Sequence, residues 1–232
     1  MYLKNSIILE NFIIKKNSLI EITLPELRNQ DKYLSSLTKK YKNKRKKIQG
    51  QGIKNTKFMG VDLIPETGSV LFTFLTEATE EKDKKMDKEL PKKEYDFVTG
   101  TLVDNPSHLY EIKIKIDNIF PNNAYTDISW LEVFDGDITI DNLKEIFDVA
   151  DIKLSSNDPS FQFQGFNYRL TNIDGSIYPE HRPDTFWVTK HGTNAYLTKH
   201  IAQLLDRGSF ELFFNQMVSA LRKKLKEAGY IT

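Results

Sequence analysis

Hydrophobic positions alternate in some stretches of this chain and recur at helical spacing in others. Residues 6–14 and 18–24 are rich in Ile and Leu, and the LIEITL of 19–24 alternates as a half-buried strand does. Pro25 then opens a polar stretch that reads as helix and ends at Gly50 and Gly52. Residues 70–76, VLFTFLT, read as a buried strand. The following EATEEKDKKMDKELPKKE lacks an apolar stripe and contains Pro91, so it reads as a solvated excursion between strands. Strand signals return at 96–103 and are strongest over 110–117. There Tyr110, Ile112, Ile114 and Ile116 face one way, and Glu111, Lys113, Lys115 and Asp117 the other, the pattern of an antiparallel strand with one wet face. Two short strands are expected at 128–134 and 137–140 with Gly136 in the turn, then a helix DNLKEIFDVA capped by Asp141.

Beyond residue 150 the pattern changes. Phe161 and Phe163 alternate like the core face of a strand, among Phe166, Tyr168, Tyr178, Phe186 and Trp187, and Pro179 and Pro183 make rigid turns around them. Ala195–Asp206 reads as helix. Ser209 is placed to cap a last helix in which Phe210, Phe213, Phe214, Met217, Leu221 and Leu225 recur at helical spacing. Its outer face carries Arg222, Lys223, Lys224 and Lys226, and Gly229 suits its end. The expected fold class is α+β. Residues 1–150 form a mostly β, antiparallel portion with a basic helix or loop insertion; residues 151–232 form an irregular aromatic module and two C-terminal helices.

Composition narrows the picture. The 232 residues suffice for one large domain or two small ones, and 39% apolar with 28% charged residues is a globular mixture. Net charge is only +1, yet ten Lys or Arg and no acid lie between Lys32 and Val61. The N-terminal stretch carries Lys4, Asn5, Glu10 and Asn11, unlike a signal peptide, and no run approaches the roughly 20 apolar residues of a membrane span. No membrane partner and a soluble intracellular protein are expected. With no cysteine, disulfides, thiolate metal sites and thiol nucleophiles are excluded. Neither a glycine-rich phosphate loop nor Gly-x-Ser-x-Gly is present.

Three constellations bear on chemistry. The basic run holds Lys39, Lys40, Lys42, Lys44, Arg45, Lys46 and Lys47, which suits salt-sensitive, sequence-independent binding of nucleic acid phosphates or an acidic protein surface. Tyr41 within it and Phe58 beyond it are candidate base-stacking groups. Glu111 and Lys113 share one strand face with Asp96 and Asp104 upstream. In restriction-type nucleases a Glu-x-Lys strand and an upstream Asp surround a catalytic Mg²⁺, although Lys115 and Asp117 continue the same alternation here. His181, His191 and His200, near Asp158, Asp174, Glu180 and Asp184, supply lone pairs for a metal, but no His-x-His or His-x-x-x-His pair is present.

The segment SSNDP at 155–159, the aromatic run FQFQGFNYRL, a proline-containing loop and Thr198-Lys199-His200 before a helix resemble a module of some tailed-bacteriophage proteins. That module is similar to a SWIM-type zinc finger: Cys-x-Cys-Pro precedes the aromatics and Cys-Lys-His opens the closing helix. The resemblance places its ligand positions at Ser156, Asp158, Thr198 and His200. His200 alone matches a zinc ligand of the pattern; Asp158 can coordinate a metal, while Ser156 and Thr198 are poor zinc ligands. It implies a phage-encoded chain whose module is held by packing and hydrogen bonds, with zinc at Asp158 and His200 as the alternative.

The resulting expectation is a non-enzymatic phage virion or assembly protein, without a cofactor, in the host cytoplasm or the virion. It binds other phage proteins, and DNA through its basic segment. The alternatives are a Mg-dependent DNA nuclease using Asp96, Asp104, Glu111 and Lys113, and a sequence-independent nucleic-acid-binding module.

Overall fold

Two nine-residue strands, β1 (Thr56–Ile64) and β2 (Ser69–Glu77), form a hairpin whose turn is built on Gly68. In this computed structural model of the chain, residues 22–28, 56–77, 82–83, 88–89, 92–107, 109–124, 128–163, 166–180, 197–205 and 210–232 are described. Gly68 has a left-handed φ of +60°, and a Cβ there would overlap the Phe120 carbonyl and the Asn122 amide, so only glycine fits. Its own carbonyl accepts from Ile119 N at 2.7 Å, tying the turn to the chain beyond the third strand of the sheet.

The excursion after β2 contributes a two-residue ladder, β3 (Lys82–Asp83) with β4 (Lys88–Glu89). The strand signal at 96–103 is a hairpin instead of one strand: β5 (Lys93–Asp96) and β6 (Thr101–Asp104) pair across a turn at 97–100. Strand β7 (Leu109–Ile116) shows the alternation expected of it, with Tyr110, Ile112, Ile114 and Ile116 buried. Together with β8 (Ile152–Ser156) it completes an antiparallel sheet in the order β1-β2-β7-β8. The register stacks Phe58, Phe74, Ile112 and Ser156 in one row, and Val61, Phe72, Ile114 and Leu154 in the next. One face is therefore almost wholly apolar. The open edge of β8 is covered by Ile22–Thr23 at one end and by residues 175–177 at the other.

Neither strand expected at 128–134 and 137–140 forms: a short helix and a turn replace the first, and an irregular link into the next helix replaces the second. Helix α1 (Trp130–Val133) begins with a reciprocal capping box, Ser129 bonding Glu132 N while the Glu132 carboxylate takes Ser129 N. Asp135 and Gly136 then turn left-handed and end it. Helix α2 (Ile140–Val149) starts two residues earlier than expected, because the Thr139 hydroxyl, and not Asp141, accepts from Asn142 N at 3.1 Å. Its Leu143, Ile146 and Phe147 are buried.

The aromatic run forms two short helices, α3 (Pro159–Phe163) and α4 (Phe166–Thr171), so Phe161 is a buried helical residue and the strand reading of this segment is wrong. Asp158 caps α3 through Ser160 N at 2.9 Å, which starts a helix where phenylalanine alternation suggested a strand. Helix α5 (Lys199–Leu204) is capped by Thr198. A 3₁₀ turn (Glu211–Phe213) leads into α6 (Phe214–Glu227). Ser209, the cap expected for it, lies outside the described residues. All six residues of the expected stripe, from Phe210 to Leu225, are buried. Rings from both sides interlock: Phe74 meets Phe210 and Phe213, and Phe147 meets Phe72, Phe210 and Phe214, all at centroid distances of 5.0–6.2 Å. At the other end of the chain, residues 24–28 are helical, with Thr23 and Glu26 as a capping pair.

The architecture is α+β, with an antiparallel sheet carrying helices on its apolar face. Strand β8 and helix α6, both beyond residue 150, share that core with β1, β2 and β7.

Candidate functional site

The polar face of β7 is where the structure brings candidate groups together. Alternation puts Glu111 and Lys113 side by side, and Lys113 Nζ lies 2.7 Å from Glu111 Oε1. Burial pushes the Lys113 ammonium down, but the hydrogen bond and charge of Glu111, aided by Tyr178 and Asp62, hold it above the usual lysine range. Further along, Lys115 Nζ and the Ser69 hydroxyl each lie 2.6 Å from Asp117 Oδ1, and Lys153 bonds Asp174 at 2.8 Å. Burial pushes the Asp117 carboxyl up; the Lys115 and Ser69 hydrogen bonds and the charges of Lys115 and Lys153 outweigh it and bring it below the usual carboxylate value.

Asn157 attaches the β5–β6 hairpin to this face. Its side chain accepts from Glu111 N at 2.7 Å and donates to Glu94 Oε2 at 2.9 Å, while its carbonyl accepts from Tyr95 N at 2.8 Å. Glu94 is thereby brought near Glu111. Burial raises its pKa first, then the like charges of Glu111 and Asp96. Nothing in the sequence pattern marked Glu94 or Asn157, because the first belongs to a lysine-glutamate run and the second follows a strand.

The two upstream aspartates serve the hairpin itself. Asp96 Oδ1 accepts from Val98 N at 2.8 Å, and Oδ2 from the Thr99 hydroxyl at 2.9 Å. The Val98 amide, the Thr99 hydroxyl and the Thr99 amide hold its carboxyl below the usual value despite a small opposing desolvation. Asp104 pairs with Lys93 across the hairpin. The turn that Asp96 holds projects Val98, 94% exposed, and Leu102 on β6 is 46% exposed.

Asp158 and His200 meet in the interior. His200 Nδ1 lies 2.6 Å from Asp158 Oδ2, with both side chains under 5% exposed, and the Tyr110 ring stands edge-on to the imidazole at 5.1 Å. Ser156 and Thr198 are buried as well. The Ser156 hydroxyl accepts from Asp158 N at 3.2 Å, and the Thr198 hydroxyl from Ile201 N at 3.3 Å. Two neutral hydroxyls already bonded to main-chain amides, beside a carboxylate bonded to the imidazole, do not fit the thiolate and imidazole set that closes a structural zinc site. A second buried network lies close by in sequence: Asn167 donates to Gln162 and to the Tyr178 carbonyl, each at 3.0 Å, and accepts from the Ser176 hydroxyl at 2.5 Å.

Among the described residues no group of three or more His, Asp or Glu is placed to hold a metal ion. The basic residues Lys39, Lys40, Lys42, Lys44, Arg45, Lys46 and Lys47 lie outside the described residues, as do Tyr41, His181, His191, Asp184, Phe186 and Trp187. No described helix is long and apolar enough to cross a membrane. Compared with known proteins, the chain matches no family model, no curated protein and no solved structure.

Proposed function

We propose that this protein is a non-enzymatic assembly component of a phage, in the host cytoplasm or the virion, that holds other phage proteins and binds DNA through Lys39–Lys47. The observation that carries this reading is Val98. Asp96 fixes this turn from both carboxylate oxygens, so Val98, 94% exposed, is held out in solvent where a partner can cover it with little loss of entropy. The polar groups of the candidate sites pair within the fold: Glu111 with Lys113, Asp104 with Lys93, Asp158 with His200. The phage assignment rests on the pattern at Ser156, Asp158, Thr198 and His200, whose two ionisable members touch across 42 residues of chain. Mass spectrometry of purified particles and of co-purifying proteins tests it. The protein should be found in particles or with a particle protein; a chain recovered alone, from neither, overturns the reading.

A second reading, the Mg-dependent DNA nuclease, is favoured by one observation: Glu94 joins Glu111 on the side of β7 that carries Lys113. It needs Mg-dependent cutting of DNA that Lys113→Ala abolishes in a folded protein. Cutting that survives in Lys113→Ala, or none in the unaltered protein, leaves the assembly reading.

A further inference from the structure

Strand β1 is an outer strand of the sheet, and among the described residues no strand pairs with its far side. The opposite outer strand, β8, is covered at both ends. Burial shows the same asymmetry. Val70, Phe72 and Phe74 on β2 are wholly buried, whereas Leu63 and Phe58, on the same apolar face of β1, are only partly so. Met59 is an extra residue in β1, because Phe58 pairs with Phe74 and Gly60 with the very next residue, Thr73. This bulge resets the alternation, so that Phe58 and Val61 share the apolar face and Lys57 and Asp62 the wet one. Lys57 and Asp62 are both exposed, and neither forms an ion pair with another residue of the fold. Counting outward from Met59 and Gly60, each direction therefore meets an apolar residue and then a charge, and the two charges are opposite.

We infer that a second copy of this chain pairs with this edge, β1 against β1, antiparallel about a twofold axis at the Met59–Gly60 bulge. Phe58 then lies opposite Val61 of the second copy, and Lys57 opposite Asp62 of the second copy, each contact occurring twice. Directly opposed side chains of neighbouring strands stand about 5 Å apart, within reach of a lysine–aspartate pair. The contact is isologous, so it closes at a dimer and joins the two four-stranded sheets into one. A bulge normally protects an edge by putting an ordinary strand out of register. A second copy brings the same extra residue at the same place and keeps register on both sides of it, which favours self-pairing over the strand of another protein. The inference goes beyond the assembly reading and stands without it.

Sedimentation of the full chain tests it, with the charge exchanges Lys57→Asp and Asp62→Lys; both side chains are exposed, and circular dichroism confirms that each variant folds. The unaltered protein should pass from monomer to dimer, and no further, between about 1 and 500 µM, the range of a small protein contact. Each variant alone sets like charges opposite each other, and its dimer should weaken at least about tenfold. Mixed in equal amounts, the two variants should dimerise again, because position 57 of one lies opposite position 62 of the other. The chain carrying both exchanges, with its net charge unaltered, should dimerise by itself. An unaltered protein that stays monomeric over that range, or grows beyond a dimer, overturns the inference. So does association that the single variants leave unchanged, or that neither the mixture nor the double exchange restores.

Discussion

The His200 imidazole and the Asp158 carboxylate meet at 2.6 Å, each under 5% exposed, although 42 residues of chain separate them. The bond joins the cap of α3 to the first turn of α5, so one contact holds both ends of the aromatic module. Removing one member of this pair takes a buried hydrogen bond from the other, which costs about 1–3 kcal/mol. His200→Ala and Asp158→Ala should each lower stability by that order in urea unfolding. The double variant should cost clearly less than the two added together, because the same hydrogen bond is lost in each. Additive losses would show that the two groups act separately.

Asp117 sets an acid limit on the sheet. Its carboxyl is held below its ordinary value, so the unfolded chain takes up the proton first as pH falls. Its contribution is complete above the unfolded carboxylate value of about 4, and is lost as pH drops through the lower folded value. Asp117→Asn should destabilise the protein at pH 7 by about 1.5–3 kcal/mol, the worth of hydrogen bonds to a charged group. It should also flatten the decline of the unfolding midpoint below pH 4. An unchanged acid profile would remove Asp117 from that role.

The β1–β2 turn admits no side chain. Gly68→Ala places a Cβ against the Phe120 carbonyl and the Asn122 amide in a left-handed backbone. The expected loss is about 1 kcal/mol from the backbone and about 1–3 kcal/mol from the overlap. Thermal unfolding within 1 °C of the unaltered protein would contradict it.

Asn157 clasps the hairpin to β7 through Glu94 and Glu111. Asn157→Ala should cost about 1–2 kcal/mol and leave the buried core unaltered. Hydrogen exchange should quicken at Glu111, whose amide bonds to the Asn157 side chain, and not at Ile114 in the middle of β7. Equal acceleration along the whole strand would mean general loosening in place of a released hairpin.

Binding of DNA by the basic run is tested through salt. Replacing Lys44, Arg45, Lys46 and Lys47 by Ala should weaken binding and reduce the slope of log affinity against log salt by as much as about 3–4, at roughly 0.9 for each phosphate no longer neutralised. A slope that does not move places DNA binding elsewhere on the chain.

Strand β7 and helix α6 were legible because their environments are one-sided. Alternation of Ile with charge needs a sheet with one wet face, and the stripe from Phe210 to Leu225 needs a helix lying on a core. Residues 128–140 misled because a short run of Ile, Trp, Leu, Val and Phe suits either period, and the Ser129–Glu132 capping box decided the matter locally. Phe161 misled for a similar reason, since the Asp158 cap outweighs two alternating rings. Among the candidate groups, alternation alone put Glu111 beside Lys113. It could not bring up Glu94, whose place depends on Asn157 bonding two segments at once.

By itself, then, the sequence determined which faces of its principal strand and last helix are apolar, and that no thiol chemistry is available, because periodicity and composition are local properties of the chain. Only the tertiary structure decided that Asp158 meets His200, that Asp96 and Asp104 serve a hairpin, and that Val98 is left in solvent. Those outcomes depend on which distant segments come to share a core, and that is settled by the burial of the whole chain at once.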